Sequence, residues 1–372
     1  MDDLRNKNIL ILSPQGWSGQ QISKHHYARA LAKRGNKVLF VAAPRIEMGR
    51  FYSTYKPIEN LPSLQVADYC IPLPYKLSFH FPKLYQLFNL WQLKKIIKTY
   101  FGPLDVCIDF GHYRFFSDLK RIEATHKIFF PVDDFSNLTP NARAASVCFS
   151  VSQNIVDKFN AGGIDCFFMQ HGLSDVFVKH IQKRSKLESE SQKNIRVGYA
   201  GNLMIRFLNR SLFRNIVEQF PDIEFHCFGN YKAESPLEAD LSWQNWLTKQ
   251  PNILLYGILD TEPLAEKMQP MNAFWLCYQP DGKNYHAENS HKILEYLSTG
   301  KVIISTPISI YENTGLLAMS TYEHFSSHFS SIINRLDYFN DLEKQKIRIE
   351  YALENTYDKQ IDKIAKHIQI NS

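Results

Sequence analysis

The sequence has little cysteine, and the cysteine that it has is scattered. Its six cysteines stand singly, mostly within apolar runs, with no Cys-x-x-Cys pair and no cluster of histidines beside them. This spacing argues against a zinc site and against a disulfide framework. We therefore expect reduced cysteines that belong to the core.

Long hydrophobic runs are also missing. The first apolar run, Ile9 to Leu12, is far shorter than a signal peptide or the ~20 residues that span a bilayer. We therefore expect a cytoplasmic protein, either free or peripheral at the inner face of the membrane.

The chain is long enough to form two hydrophobic cores of usual size. A chain of 372 residues exceeds the size at which one hydrophobic core keeps growing, which predicts two domains. Hydrophobic residues at 44% and charged residues at 22% are ordinary for a folded protein and argue against disorder. The net charge of +6 favours an anionic partner, such as a nucleoside diphosphate, a phospholipid surface or nucleic acid.

Short strand-like runs alternate with helical patterns along the chain. Asn8 to Leu12, a helical stretch from Gln20 to Arg34, and Lys37 to Ala42 form a βαβ unit. The alternation restarts at Ile195. The predicted fold class is therefore α/β, with two Rossmann-like, doubly wound parallel-sheet domains whose ligands bind at the carboxyl ends of the strands, in a cleft between the domains.

Polar composition sets the predicted domain bounds. Residues 1–178 form the N-terminal domain and residues 179–194, charged and free of strand-formers, form the linker. Residues 195–356 form the C-terminal domain. Residues 357–372 form an amphipathic helix that we expect to return to the N-terminal domain.

The most informative segment runs from Glu288 to Thr306 and combines a polar loop, a helix and a Gly-Lys turn into a strand. Ser290, His291 and Lys292 occupy the first turn of the helix, where unpaired N–H groups and the helix dipole attract phosphate. Glu295, one turn further, is placed to accept hydrogen bonds from ribose hydroxyls. The alternative is an ordinary amphipathic helix with a solvated charge pair.

A second segment, Val197 to Asn202, reads as the first strand of the second domain running into a glycine turn. A turn of this kind at Gly201 lets backbone N–H groups approach a diphosphate closely. The basic residues Arg206 and Arg210 follow. Alternatively, these arginines only solvate the start of a helix.

Together these segments resemble the donor-binding elements of GT-B glycosyltransferases, of the bacterial polysaccharide and capsule kind (group 1, or family 4-like). The family pattern is matched by Ser290, Lys292, Glu295, Tyr296, Leu297, Gly300 and Lys301. Val302 replaces the usual proline, and Ala287 stands where the family has a second glutamate, with Glu288 beside it. In the glycine turn Asn202 takes the place of the family's basic residue, which makes Arg206 the candidate to neutralise the pyrophosphate.

The resemblance implies a hexosyltransferase that moves a sugar from a nucleotide-diphosphate sugar to a glycan or lipid-linked saccharide in surface polysaccharide synthesis. It also implies that the loop from Ser13 to Gly19, with Gly16 and Gly19, faces the acceptor. That loop lacks the Gly-x-Gly-x-x-Gly motif of nicotinamide-binding domains, and no acidic residue stands at the end of the second strand. Both observations argue against a nicotinamide cofactor.

An inverting transferase needs a base to deprotonate the acceptor. Asp133 and Asp134 follow the predicted strand Lys127 to Val132, and alternation of side chains favours Asp134 as the one that faces the ligand. The alternative for Asp134 is a helix cap. His112 is the other candidate, at a place where many relatives carry a histidine.

No cofactor and no metal are expected, since the chain has no Asp-x-Asp motif and the helix N-terminus, Lys292 and Arg206 supply positive charge. Phe81 to Tyr100 combines aromatic and leucine residues at helical spacing with three lysines near its end. This segment is either a helix packed on the first sheet or a helix that contacts a membrane surface. No nucleic-acid partner is expected, because no recognised binding module is present.

Two other functions remain open. A nucleotide-sugar 2-epimerase would share the donor motif and need no acceptor. An inert nucleotide-sugar binding protein would share it without catalysis.

Overall fold

A computed structural model describes residues 4–17, 21–47, 51–74, 76–111, 119–132, 139–184, 194–234, 237–279 and 289–370. The chain divides into two compact units. The first unit consists of Met1–Gly172 and Tyr357–Ser372, and the second of Leu173–Thr356. Within the described ranges, no helix is both long and apolar enough to cross a membrane.

Within the residues that the structure describes, the first unit is built on a nine-stranded sheet with the order β3-β5-β2-β1-β6-β7-β8-β9, in which β4 pairs with β5. All its pairings are parallel except that of β4 with β5. The strands are β1 (Asn8–Ser13), β2 (Lys37–Ala42), β3 (Arg45–Ile46), β4 (Ser53–Ile58), β5 (Leu61–Ile71), β6 (Val106–Asp109), β7 (His126–Phe129), β8 (Val147–Ser150) and β9 (Cys166–Phe168). The helices of this unit are α1 (Ser23–Lys33), α2 (Leu77–His80), α3 (Pro82–Tyr100), α4 (Thr139–Ala144), α5 (Gln153–Ala161) and, from the end of the chain, α14 (Tyr357–Ile370).

Both faces of this sheet are covered, because successive residues of each strand point to opposite sides. Ile9 and Ile11 lie in a core cluster with residues of α1 and α14. Leu10 and Leu12 lie in a separate cluster with residues of α3 and α5. Strands buried on both faces explain why β1 and β2 are continuous apolar runs rather than alternating ones.

The second unit has a six-stranded sheet in the order β12-β11-β10-β13-β14-β15, with every pairing parallel. Its strands are β10 (Arg196–Ala200), β11 (Glu224–Phe228), β12 (Ile253–Gly257), β13 (Ala273–Leu276), β14 (Val302–Ser305) and β15 (Ala318–Met319). Its helices are α6 (Asp175–Arg184), α7 (Arg210–Gln219), α8 (Glu238–Lys249), α9 (Thr261–Met268), α10 (His291–Ser298), α11 (Phe325–Ile333), α12 (Leu336–Phe339) and α13 (Leu342–Glu354). The predicted class, two α/β domains with mostly parallel sheets, is confirmed.

The boundary between the units differs from the sequence prediction, which ended the N-terminal domain at residue 178 and began a linker at 179. The structure places the crossing at Gly172 and Leu173. Leu173 and Phe177 are buried in the core of the second unit, and the Leu173 N–H donates to the Asn355 carbonyl at 2.7 Å. Residues 173–184 therefore belong to the second unit, since helix α6 buries its apolar residues there.

Candidate nucleotide-sugar site

Helix α10 begins where the sequence predicts the donor-binding helix. Ser290 is its N-cap residue, with an extended backbone (φ −89°, ψ 127°), and the Ile293 N–H donates to the Ser290 carbonyl at 3.0 Å. Lys292 and Glu295 follow, one turn apart. The first turn of a helix carries a positive partial charge, so this end of α10 favours an anionic group.

Lys292 lies against the turn that follows strand β10. A Cβ atom placed on Gly201 would overlap the Nζ atom of Lys292 and would approach the Tyr199 hydroxyl to 3.0 Å. Only a glycine leaves room for the ammonium group at this point. The structure therefore brings together the glycine turn and the lysine, which are about ninety residues apart in the chain.

The amide of Gly201 serves the fold rather than a ligand. Its N–H donates to the Phe228 carbonyl at 2.7 Å, and the Leu203 N–H donates to the Asn230 carbonyl at 2.8 Å. The neighbouring strand end therefore uses the Gly201 N–H, and the predicted contact of the glycine turn with a diphosphate stays a prediction. The position instead provides the space that Lys292 fills.

Tyr296 fixes the helix to the end of strand β10. Its buried hydroxyl accepts a hydrogen bond from the Ala200 N–H at 2.6 Å and donates to the Ala200 carbonyl at 3.1 Å. Its ring stacks on Phe274 with centroids 4.4 Å apart. Sequence reasoning matched Tyr296 to the motif without giving it a role, and its polar tip on an otherwise apolar helix face was the available signal.

Burial shifts the pKa of both Lys292 and Glu295, although each residue keeps some exposed surface. Desolvation lowers the pKa of Lys292 to about 8, and the charge of Glu295 opposes that change. Desolvation likewise raises the pKa of Glu295 to about 7, against the effect of Lys292. For both groups, desolvation changes the pKa more than the attraction between the two charges does. A bound anion would therefore stabilise the charged form of Lys292.

Asn202 and Arg206 are exposed on the segment that follows the glycine turn. The Asn202 side-chain oxygen accepts from the Met204 N–H at 2.8 Å, which makes a local turn. The Arg206 carbonyl accepts from the Gln279 side chain at 3.3 Å. Arg210 is held elsewhere, 2.8 Å from Asp240. Of the two arginines, Arg206 is thus the one with an exposed side chain.

In the first unit, a histidine that sequence reasoning missed holds the Gly16 loop, which the resemblance predicts to face the acceptor. His25 Nδ1 accepts from the Ile22 N–H at 3.0 Å and Nε2 donates to the Gly16 carbonyl at 2.9 Å, which fixes the neutral tautomer. Burial lowers the pKa of His25. Gly19 lies outside the described residues.

The three predicted catalytic residues, Asp133, Asp134 and His112, also lie outside the described residues. The structure does describe a buried pair, Asp109 and Asn141. Its hydrogen bonds link the residue just before 112–118 to the residue just after it. Asp109 accepts from the Gly111 N–H and from the Asn141 side-chain amide, each at 3.0 Å. The Asn141 side-chain oxygen accepts from the Leu119 N–H at 3.3 Å. No local pattern predicts this pair, because Asp109 lies on β6 and Asn141 on α4.

A metal site would need a cluster of ligands. Among the residues that the structure describes, no group of three or more His, Cys, Asp or Glu side chains is arranged to hold a metal ion.

Comparison of the sequence with protein-family models and with curated proteins finds no match. Solved structures are similar along almost the whole chain. Sucrose-phosphate synthase from Thermosynechococcus elongatus is 11% identical, with a TM-score of 0.66 over 97% of this chain and 98% of that one. Anabaena HepE in complex with UDP and glucose is 12% identical, with a TM-score of 0.64 over 98% and 99%. A glycosyltransferase from Rickettsia africae is 14% identical, with a TM-score of 0.64 over 99% and 100%.

At these identities the likeness concerns the fold. Each similar structure is matched from end to end, including both α/β units. The chain has the GT-B fold that these glycosyltransferases share.

Proposed function

We propose that the protein is a glycosyltransferase that takes a sugar from a nucleotide-diphosphate sugar bound by its second unit. One observation carries the proposal: Lys292, at the start of helix α10, packs into the glycine turn at Gly201, with Glu295 one turn further. The similar structures add support, since HepE is described with UDP and glucose bound.

The chemistry of the site suits a nucleoside diphosphate. The Lys292 ammonium and the N-terminus of α10 would neutralise the pyrophosphate, both in the bound donor and as the leaving group departs. Glu295 would accept hydrogen bonds from ribose hydroxyls. A buried ammonium with a lowered pKa gains a partner when the diphosphate binds, so binding and protonation of Lys292 support one another.

We further propose a hexosyl donor, a saccharide or lipid-linked saccharide acceptor, and a role in surface polysaccharide or capsule synthesis at the inner face of the membrane. Asp134 would deprotonate the acceptor hydroxyl in an inverting transfer, with Asp133 and His112 as the residues to compare. An essential base contributes roughly 10²- to 10⁴-fold in rate. Asp134→Asn should therefore lose turnover and keep donor affinity, whereas loss of a cap would cost about 1 kcal/mol of stability and little turnover.

Transfer should need no divalent metal, because Lys292, Arg206 and the helix N-terminus supply the positive charge. Loss of activity in a chelator, with recovery on adding manganese, would contradict this part of the proposal.

Calorimetric titration with UDP and with GDP tests the donor site. Glu295→Ala should weaken binding by about 1.5 to 3 kcal/mol for each charge-assisted hydrogen bond lost. Glu343→Ala is the matched control, since Glu343 is an exposed glutamate in the first turn of helix α13. Equal affinity in Glu295→Ala and wild type would refute the assignment of the ribose contact.

Product analysis then separates the reaction classes. Incubation with the nucleotide sugar alone should leave the sugar's configuration unchanged, and a saccharide acceptor should be needed for turnover. Conversion of the donor to its 2-epimer without an acceptor would instead identify an epimerase.

A further inference from the structure

Helix α3 carries large apolar side chains on both of its faces, and Tyr85, Leu93 and Ile96 are the ones buried in the core. Its inward face includes two polar residues, Asn89 and Gln92, which are buried against strand β5. The Tyr69 hydroxyl donates to the Asn89 side-chain oxygen at 2.7 Å, and the Gln92 side-chain amide donates to the Cys70 carbonyl at 2.8 Å. Specific hydrogen bonds to the sheet thus fix which side of α3 faces the core.

The outward face carries large apolar side chains beside its lysines. We call four apolar residues, counting the phenylalanine just before the helix, the apolar stripe: Phe81, Leu84, Leu87 and Trp91. These positions repeat every three or four residues, so they lie on one side of the helix. Leu84 is 61% exposed and Trp91 is 54% exposed. Phe51, from the segment before β4, stacks on Trp91 with ring centroids 5.8 Å apart and widens the apolar surface.

Charge of one sign surrounds the stripe. Between Asp68 and Asp105 the sequence has no acidic residue and five lysines, namely Lys76, Lys83, Lys94, Lys95 and Lys98. All five are exposed. Lys95 lies 5.9 Å from the ring of Trp91, which joins the charged rim to the apolar stripe. Glu123 contacts Lys94 at 3.6 Å from outside the segment.

We infer that the apolar stripe and its lysines dock on an anionic lipid bilayer, with α3 lying in the plane of the interface. At 19 residues the helix is about 28 Å long, sufficient for a broad contact. Phe, Leu and Trp on one face with lysines beside them match the interfacial helices that bind acidic headgroups. A second copy of the chain is a poorer partner, since a two-fold contact through this face would bring lysines against lysines.

Vesicle sedimentation tests the inference directly. The wild-type protein should bind vesicles of phosphatidylcholine with about a third phosphatidylglycerol and should not bind pure phosphatidylcholine. Each lysine near the surface contributes roughly fivefold in affinity, so Lys95→Glu with Lys98→Glu should weaken binding by well over tenfold. Leu84→Ala with Trp91→Ala should weaken it roughly tenfold or more, because these side chains are exposed without the bilayer and buried with it.

Matched controls come from the second unit. Leu342→Ala removes a leucine that is 84% exposed on helix α13, and Lys346→Glu reverses an exposed charge on the same helix. Both should bind vesicles as the wild type does. All variants should still melt in one cooperative transition and bind UDP with unchanged affinity, so the result stands apart from the proposed reaction.

Three results would overturn the inference. One is absence of binding to the anionic vesicles, and another is equal binding by the stripe variants and the wild type. The third is a dimer, seen in analytical ultracentrifugation, that the stripe variants dissociate while vesicles are not bound.

Discussion

Replacing Gly201 by alanine is the most direct test of the donor site, because the structure shows what the added methyl group meets. It would overlap the Nζ atom of Lys292 and stand 3.0 Å from the Tyr199 hydroxyl. Tyr199 is fully buried and cannot yield easily, whereas the lysine is a flexible chain whose end can move. We therefore expect Gly201→Ala to displace the ammonium group and to leave the fold in place.

The expected magnitudes follow from those contacts. Overpacking against Tyr199 should cost about 1 to 3 kcal/mol of unfolding free energy. Loss of one charge-assisted contact to the diphosphate, about 1.5 to 3 kcal/mol, should weaken UDP binding roughly ten- to a hundredfold. Gly102→Ala is the control, since a Cβ there has no heavy atom within 4 Å.

Calorimetry on a double-mutant cycle distinguishes this mechanism from general damage. If Gly201→Ala acts through Lys292, adding it to Lys292→Met should cause little further loss of UDP affinity. Additive losses in the double variant would refute the reasoning, as would wild-type affinity in Gly201→Ala.

Three further outcomes are expected. UDP affinity should fall roughly fivefold between pH 8 and pH 9 as the free protein loses the Lys292 proton, which calorimetry across pH would show; a flat profile would contradict the pKa of about 8. The pKa of His25 is lowered in the folded state, so its contribution to the free energy of unfolding should be complete above pH ~6.5 and be lost as the pH falls below that value. Denaturant titration at several pH values should show that the free energy of unfolding depends less on pH in His25→Gln than in the wild type. With Gly172→Ala the added methyl group would overlap the Tyr357 ring and should lower the free energy of unfolding, measured by denaturant titration, by about 1 to 3 kcal/mol, whereas Gly102→Ala should not.

The parts that the sequence predicts well are those whose signals are local. The helix predicted to begin at Ser290 is observed as α10 (His291–Ser298), and the strand after the Gly-Lys turn is β14 (Val302–Ser305). A polar loop, a helix start and a glycine at its end are short-range features that determine backbone conformation directly. The location of Lys292 in the glycine turn depends instead on how β10 and α10 pack, which no local pattern records.

The hairpin of β4 and β5 was not predicted, although it carries a recognisable turn. Glu59 and Asn60 form its two-residue loop, and Asn60 has a positive φ of 60°. Asparagine tolerates that conformation and is common in such loops. Pro57 and Pro62 beside the turn weaken the strand signal, because proline donates no hydrogen bond to a sheet.

Helix α3 shows where periodicity stops being informative. Its spacing predicts a helix and leaves open whether the apolar side packs on the sheet or meets a membrane. The inner side includes Asn89 and Gln92, whose hydrogen bonds to Tyr69 and Cys70 offset part of the cost of burying them. Those partners lie about twenty residues away on β5, so only the folded chain reveals which side of the helix is the inner one.

The misplaced domain boundary has a related cause. The polar composition of residues 179–194 indicates that their side chains prefer water. Because the surface of either unit is in contact with water, this composition does not show to which unit the residues belong. The change from one core to the other occurs earlier, between Gly172, packed against Tyr357, and Leu173, bonded to Asn355. The chain returns to the first unit at Tyr357, so the two crossings are about 180 residues apart in the sequence. The hydrogen bond from Leu173 to Asn355 links the two segments in which they occur. A boundary of this kind is defined by a pair of distant segments, and composition along a single segment cannot locate it.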